Sequence, residues 1–143
     1  MSQEKRKRQE KSQATAPRKL FDRTTVILIV VIAVIVAGAL GYRYKHDHQY
    51  DGFAKCLKDH GLVMYGAYWC PHCADQKALF LGSAKYLPYH ECGVPGDTRL
   101  ENDSCKDAGI KKFPTWQFPP TGERIEGDLS LEALSDRSGC PLP

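Results

Sequence analysis

Polar and apolar positions divide the chain into stretches of different character. Residues 1–23 are polar, and residues 24–42, "TTVILIVVIAVIVAGALGY", form an apolar run without a charge. Residues 43–50, "RYKHDHQY", are polar again, and from residue 51 onward short apolar groups alternate with turn residues. At 1.5 Å per residue the 19 residues of the apolar run span about 28 Å as a helix, close to the hydrocarbon core of a bilayer. The run therefore reads as a transmembrane signal-anchor helix. The bland alternative is a cleaved signal peptide, since "AGA" at 37–39 offers small residues to a peptidase. The 23-residue hydrophilic leader is long for a signal peptide, and either reading exports the domain beyond residue 42.

Beyond a short stalk at 43–50, residues 51–143 carry the signals of a small α/β domain. "DGFAKCLKDHG" places Phe53, Cys56 and Leu57 at helical spacing and stops at Gly61. "LVMYGAYW", 62–69, suits a buried strand, and "ADQKALFLGSAKYL" spaces Ala78, Leu79 and Leu81 as a helix. "LPYHEC" is a second candidate strand, and "GVPGDTRLENDS" reads as a loop. A short helix through Cys105, Lys106 and Ala108 ends at Gly109. "PTWQF" and "RIEG" then form a hairpin around "PPTGE", and Ser130 caps a last helix that closes at Gly139. The order is helix, strand, helix, strand, helix, hairpin, helix.

Charge adds topology. Residues 1–23 hold eight basic side chains against three acidic, whereas the chain from Arg43 sums to 12 basic and 14 acidic, about −2, so the overall +3 belongs to the tail. An excess of Lys and Arg before the apolar run, with only Arg43 and Lys45 close behind it, places the N-terminus in the cytoplasm and the domain outside. The expected location is thus the cell (inner) membrane, single-pass, with an extracytoplasmic or periplasmic domain. Beside a membrane helix, "QEKRKRQEK" reads as a topology signal touching anionic lipid, and no aromatic interleaving argues for nucleic acid. His46 and His48 read as solvated residues of the stalk.

The chemistry is carried by "YGAYWCPHCADQK", 65–77, which sets Cys70 and Cys73 at a strand-to-helix junction. A nucleophilic thiol must be a thiolate, and the unpaired N–H groups and dipole of a helix N-terminus favour one. Cys70 would sit at that end, exposed, and Cys73, a turn further in, would be shielded yet able to attack a mixed disulfide on Cys70. An imidazolium at His72 would favour thiolate further, and Pro71 fixes the turn. Thiol pairs of this kind range from about −270 mV to about −120 mV, a span of roughly 7 kcal/mol, and the oxidising half is expected here.

"WCPHC" after a strand, followed about 40 residues later by "GIKKFPTWQF", resembles the thioredoxin superfamily. Its CPHC is shared with DsbA-type oxidases. More closely, "MYGAYWCPHCADQKALF", "YHEC", "GIKKFPTW" and "LSLEALSDRSG" resemble the thioredoxin-like domain associated with bacterial vitamin K epoxide reductase homologues, over residues 53–140. The resemblance implies a thioredoxin-like fold, a small mixed sheet flanked by helices. It also implies an exported thiol-disulfide oxidoreductase that oxidises cysteines of exported proteins. A quinone-reducing membrane partner of the vitamin K epoxide reductase or DsbB type would reoxidise it. By position, Cys70 attacks, Cys73 resolves, and Pro114 is the cis-proline shaping the substrate groove, with Pro71 and His72 tuning the pair. No cofactor is expected beyond the redox-active disulfide. One departure is Met64, six residues before Cys70, where many relatives carry a buried acid as proton acceptor for Cys73; water or Lys77 are candidate substitutes.

Four cysteines remain. In the resembled domains a second pair lies at the positions of Cys92 and Cys105, which implies a structural bridge; an intramolecular redox relay is the sharper alternative. Cys56 and Cys140, near the two ends of the domain, are then a candidate clasp, with a buried free thiol the other reading of Cys56. Zinc held by Cys70, Cys73, Cys92 and Cys105 is disfavoured, because the second pair lies 13 residues apart instead of three, so no metal is assigned. The rival functions are an exported disulfide reductase or isomerase, and a non-catalytic thioredoxin-like adaptor. Tyr68, Trp69, Phe113 and Trp116 are candidates for an apolar docking rim, one or two of them exposed.

Overall fold

The structure, a computed structural model, describes residues 22–143; the expected basic tail lies outside the described residues apart from Asp22 and Arg23. Helix α1, Arg23–Asp47, has 25 residues, none of them buried, and contains an 18-residue window of mean hydropathy 2.8. By length and composition it can cross a membrane. Residues 43–47, expected to begin a stalk, continue this helix, since nothing between Gly41 and Asp47 breaks it. His48 is not simply solvated: its Nδ1 lies 3.2 Å from Asp51 Oδ1, and its side chain is 21% exposed.

Tyr42–Pro143 form a unit of their own. Helix α2, Asp51–Asp59, buries Phe53, Ala54 and Leu57 on one face, and the chain leaves it through Gly61 at φ +78°. Strand β1, Val63–Gly66, leads to helix α3, Pro71–Ala78, a 3-10 segment Leu81–Tyr86 and strand β2, Tyr89–Glu91. β1 and β2 are parallel, with Met64 opposite Tyr89 and Gly66 opposite Glu91. A small hairpin comes next, β3 Gly93–Val94 and β4 Asp97–Glu101, then helix α4, Asp103–Asp107. β5, Thr115–Phe118, runs antiparallel to β1, β6, Glu123–Glu126, pairs with β5, and helix α5, Leu131–Ser138, ends the fold. The sheet order β2-β1-β5-β6 puts β1, which feeds the cysteine pair, between two partners.

Leu57, Met64, Phe80, Trp116 and Leu134 are fully buried in the main core, and the Phe53 ring stacks on Phe80 at 5.7 Å. Each such side chain contributes about 1.5–3 kcal/mol. The capping residues act as their sequence context suggests: Ser130 Oγ accepts the N–H of Ala133, and Gly139 adopts φ +72°.

Three further expectations differ from the structure. The strand at 62–69 shortens to four residues, because the chain turns at Ala67, whose carbonyl accepts the N–H of Cys70 at 3.0 Å. The helix after the cysteines stops at Ala78, where the 3.6-residue period ends, so positions counted onward do not share its face. Leu79 and Leu81 are 43% and 37% exposed, while Phe80 is buried. The segment 93–104 is not a plain loop but contains β3 and β4, joined by Pro95 and Gly96 at φ +86°, as a tight turn requires.

Candidate active site

Cys70 is the residue before the first turn of α3, with φ −81° and ψ 119°, and no side chain caps this helix. Pro71 occupies the first helical position, where its fixed φ is useful and its missing N–H costs nothing. Cys73 falls inside the first turn. The two thiols are unbridged; Cys70, expected to be exposed, is buried at 7% exposure because the Phe113 backbone lies against its sulfur, and Cys73 is at 1%. The segment leading into β5, the strand next to β1, reaches the pair: the Cys70 thiol faces the Phe113 carbonyl at 3.6 Å, and the Phe113–Pro114 peptide is cis. Pro114 is fully buried, and its carbonyl accepts the N–H of Gly127 at 2.8 Å.

The four aromatic candidates separate. Tyr68 is 50% exposed beside the pair, and Trp69 and Phe113 are half-buried, their rings meeting edge to face at 6.0 Å. Trp116 is core; its Nε1–H donates to Gln76 Oε1. Gln76, also fully buried, accepts the N–H of Leu129 at 2.7 Å and donates to its carbonyl at 2.9 Å, tying α3 to β5 and to the segment before α5.

Burial pushes the Cys73 thiol up to about 12, and the neighbouring Cys70 adds to the effect. His72 turns to Asp128, with Nδ1 3.1 Å from Oδ2, and its side chain is 67% exposed; when the ring is protonated its counter-charge is already at hand. Met64 is fully buried in the core. Beside it Tyr89 donates its hydroxyl proton to Glu91 Oε2 at 3.0 Å, and the Lys77 ammonium lies 3.3 Å from the centre of the Tyr89 ring. Burial, then the Glu91 carboxylate, hold the Tyr89 phenol well above the ordinary range. Gln76, Tyr89, Glu91 and Asp128 all escaped the sequence reading; "YHEC" was visible as a strand, but which neighbours its side chains meet depends on register.

Cys92 and Cys105 are bonded, with S–S 2.03 Å, and so are Cys56 and Cys140, with S–S 2.05 Å. Cys92 and Cys105 are fully buried with Ile110 in a second small core. His60 lies near the other bridge, 3.9 Å from Cys56 Sγ, and its Nδ1 contacts the Ser138 carbonyl at 2.9 Å. Cys56, His60 and Cys140 are grouped closely enough for a metal, but the two sulfurs are committed to each other.

No protein-family model matches the chain. It is similar to thiol-disulfide oxidoreductase LTO1 of Arabidopsis thaliana, 39% identical over 93 residues, which cover 62% of this chain and 24% of that protein. It is also similar to protein disulfide-isomerase A5 of Bos taurus and of Mus musculus, each 30% identical over 82 residues that cover 53% of this chain and 16% of the relative. The chain thus spans about a quarter or less of the length of these curated relatives. They support a thioredoxin-like superfamily and the chemistry of dithiol-disulfide exchange, and the mixed sheet flanked by helices is consistent with them.

Proposed function

We propose that the chain is a membrane-anchored, extracytoplasmic thiol-disulfide oxidoreductase. It oxidises cysteines of exported proteins through a disulfide between Cys70 and Cys73, and a quinone-linked membrane partner of the vitamin K epoxide reductase or DsbB type reoxidises it. The carrying observation is the contrast among its cysteines: two pairs are bridged, while the third stands unbridged at an uncapped helix start facing the Phe113 carbonyl. In this reading Cys70 forms the mixed disulfide with a substrate protein, Cys73 resolves it, and the Phe113–Pro114 segment offers backbone to an extended substrate. Pro71 and His72 tune the pair. The relatives, named for thiol-disulfide exchange, support substrates that are proteins with cysteines.

Helix α1 is the proposed anchor. With the basic residues ahead of it on the cytoplasmic side, the domain lies where exported proteins acquire disulfides. The helix contains no cysteine, so it cannot relay the electrons itself.

The deciding experiment is the equilibrium potential of the Cys70–Cys73 pair in glutathione buffers. A value in the oxidising half of the range between about −270 mV and about −120 mV supports the oxidase. A value near the reducing end favours the second reading, an exported reductase or isomerase, to which the protein disulfide-isomerase relatives lend weight.

A further inference from the structure

The proposed exchange leaves Cys73 with a proton problem. Its thiol must become a thiolate to resolve a mixed disulfide on Cys70, yet burial holds it up to about 12, far above neutral pH. Met64, fully buried beneath the pair, has no group to take the proton.

We propose that Tyr89 and Glu91, on the strand beside Met64, form the route by which Cys73 loses and regains its proton. This inference rests on the exchange activity proposed above. The parallel register puts Tyr89 opposite Met64 and Glu91 opposite Gly66, and the two side chains, two residues apart, share one face of β2. Gly66 opens the path. A Cβ there would lie 2.8 Å from Cys73 Sγ, 2.7 Å from the Tyr89 ring and 3.3 Å from the Tyr89 hydroxyl, so thiol and phenol converge on a space only glycine leaves free. The phenol donates to Glu91 Oε2 at 3.0 Å. The other carboxylate oxygen is pinned by the N–H of Gly93 at 2.8 Å and of Tyr68 at 3.0 Å. Gly93 too is shaped for this, since a Cβ there would lie 2.9 Å from Glu91 Oε1.

The titratable groups facing Cys73 are Cys70 and Lys77 from its own helix and Tyr89, with Glu91 behind it, from β2. Lys77 sits over the Tyr89 ring, where its positive charge stabilises the negative charge that builds on sulfur or phenol oxygen during transfer. The carboxylate is the acceptor. When a partner sulfur is bound to Cys70, the Cys73 proton passes to the Tyr89 oxygen as the Tyr89 proton passes to Glu91. The Cys73 thiolate then attacks Cys70 Sγ, the Cys70–Cys73 bond forms, and the bond from Cys70 to the partner breaks with its electron pair leaving on the partner sulfur. When a substrate thiolate opens the disulfide, Cys73 leaves as a thiolate and the proton returns along the same route. Tyr89 is unchanged over either passage.

The test is a single turnover of the full-length reduced protein in detergent with oxidised glutathione. Formation of the Cys70–glutathione mixed disulfide and its resolution by Cys73 are followed by acid quench and mass spectrometry between pH 5 and pH 9. In the unsubstituted protein, resolution should vary little around neutrality. Glu91→Gln, which keeps the shape and one acceptor, and Tyr89→Phe, which removes only the hydroxyl, should each slow resolution about 10²-fold at pH 7. Their rates should then climb about tenfold per pH unit as hydroxide takes over the proton. Because Glu91 also holds two backbone groups, Tyr89→Phe stands as the independent variant. Wild-type resolution rates in Tyr89→Phe, or slowing by the same factor at every pH, would overturn the relay. Failure of the unsubstituted protein to form any mixed disulfide would instead remove the exchange activity itself.

Discussion

The pair Cys70–Cys73 and the pair Cys92–Cys105 differ little in exposure: 7% and 1% for the first, none for the second. What separates them is the company each keeps. Cys70 opens a helix with no side-chain cap, and behind Cys73 stand Lys77, Tyr89 and Glu91, groups that can hold charge and carry protons. Cys92 and Cys105 are packed with Ile110, Tyr65, Ala108 and Phe113, and Cys92 is fixed by backbone, its N–H on the Gly66 carbonyl and its carbonyl taking the N–H of Asn102. A sulfur held so offers no acceptor and no opening to an incoming thiolate. Reactivity here is thus a property of ionisable neighbours and helix ends, and burial alone does not confer or deny it.

The sharpest way to break this contrast is to remove each pair in turn. Cys70→Ala should reduce dithiol-disulfide exchange, read by insulin reduction or refolding of a scrambled substrate, by at least about a thousandfold. An adaptor that works without its thiol would keep its function. Replacing Cys92 and Cys105 by Ser should leave exchange intact and cost about 3 kcal/mol in a denaturant titration, the chain-entropy value for a bridge with sequence separation 13. Lost exchange at unchanged stability would make this bridge a redox relay after all. A smaller effect belongs to the helix that presents the reactive pair. Gln76→Ala strips partners from the buried Trp116 Nε1–H and from both backbone groups of Leu129, and should cost about 2 kcal/mol.

The division between legible and hidden features runs along the same line. Local chemistry was legible: Gly61 and Gly139 as helix ends, Ser130 as a cap, and the cysteine pair at a strand-to-helix junction, because each depends on residues within a turn of one another. Contacts made across the sheet were not. Gln76 reads as an ordinary polar helix residue until Trp116, 40 positions away, is found to donate to it. Tyr89 and Glu91 acquire meaning from a register that sets them opposite Met64 and Gly66. His72 reads as a neighbour for the sulfur, and that Asp128, 56 positions away, also partners it is not visible in the sequence. The hairpin at 93–101 was hidden for a different reason: strand β3 has two residues, too few for alternation to register.

The smallest predicted effect compares the reactive pair with itself in its two oxidation states. In the dithiol protein, burial raises Cys73 to about 12, whereas in the unfolded chain it titrates as an ordinary thiol near 8.5. The folded state therefore binds the proton more tightly, and its advantage is complete below about pH 8.5 and is lost as the pH rises from there towards 12. In the disulfide protein the sulfur does not titrate, so this loss is absent. Tyr89, also raised, is present in both forms and loses stability with the same sign in each, so it largely cancels from their difference. Between pH 7.5 and pH 9.5 the dithiol form should accordingly fall by about 1 kcal/mol relative to the disulfide form, about 4–8 °C in the gap between their melting temperatures. Cys73→Ser, which cannot form the disulfide, should lose the extra fall in stability that the dithiol protein shows over this range, whereas replacing Cys92 and Cys105 should leave the pH dependence of the gap untouched, since both sulfurs of that pair are bridged in either form. A gap that stayed constant with pH would mean that Cys73 is as easily ionised in the fold as outside it, and the physical difference between the two pairs would then reduce to access at Cys70.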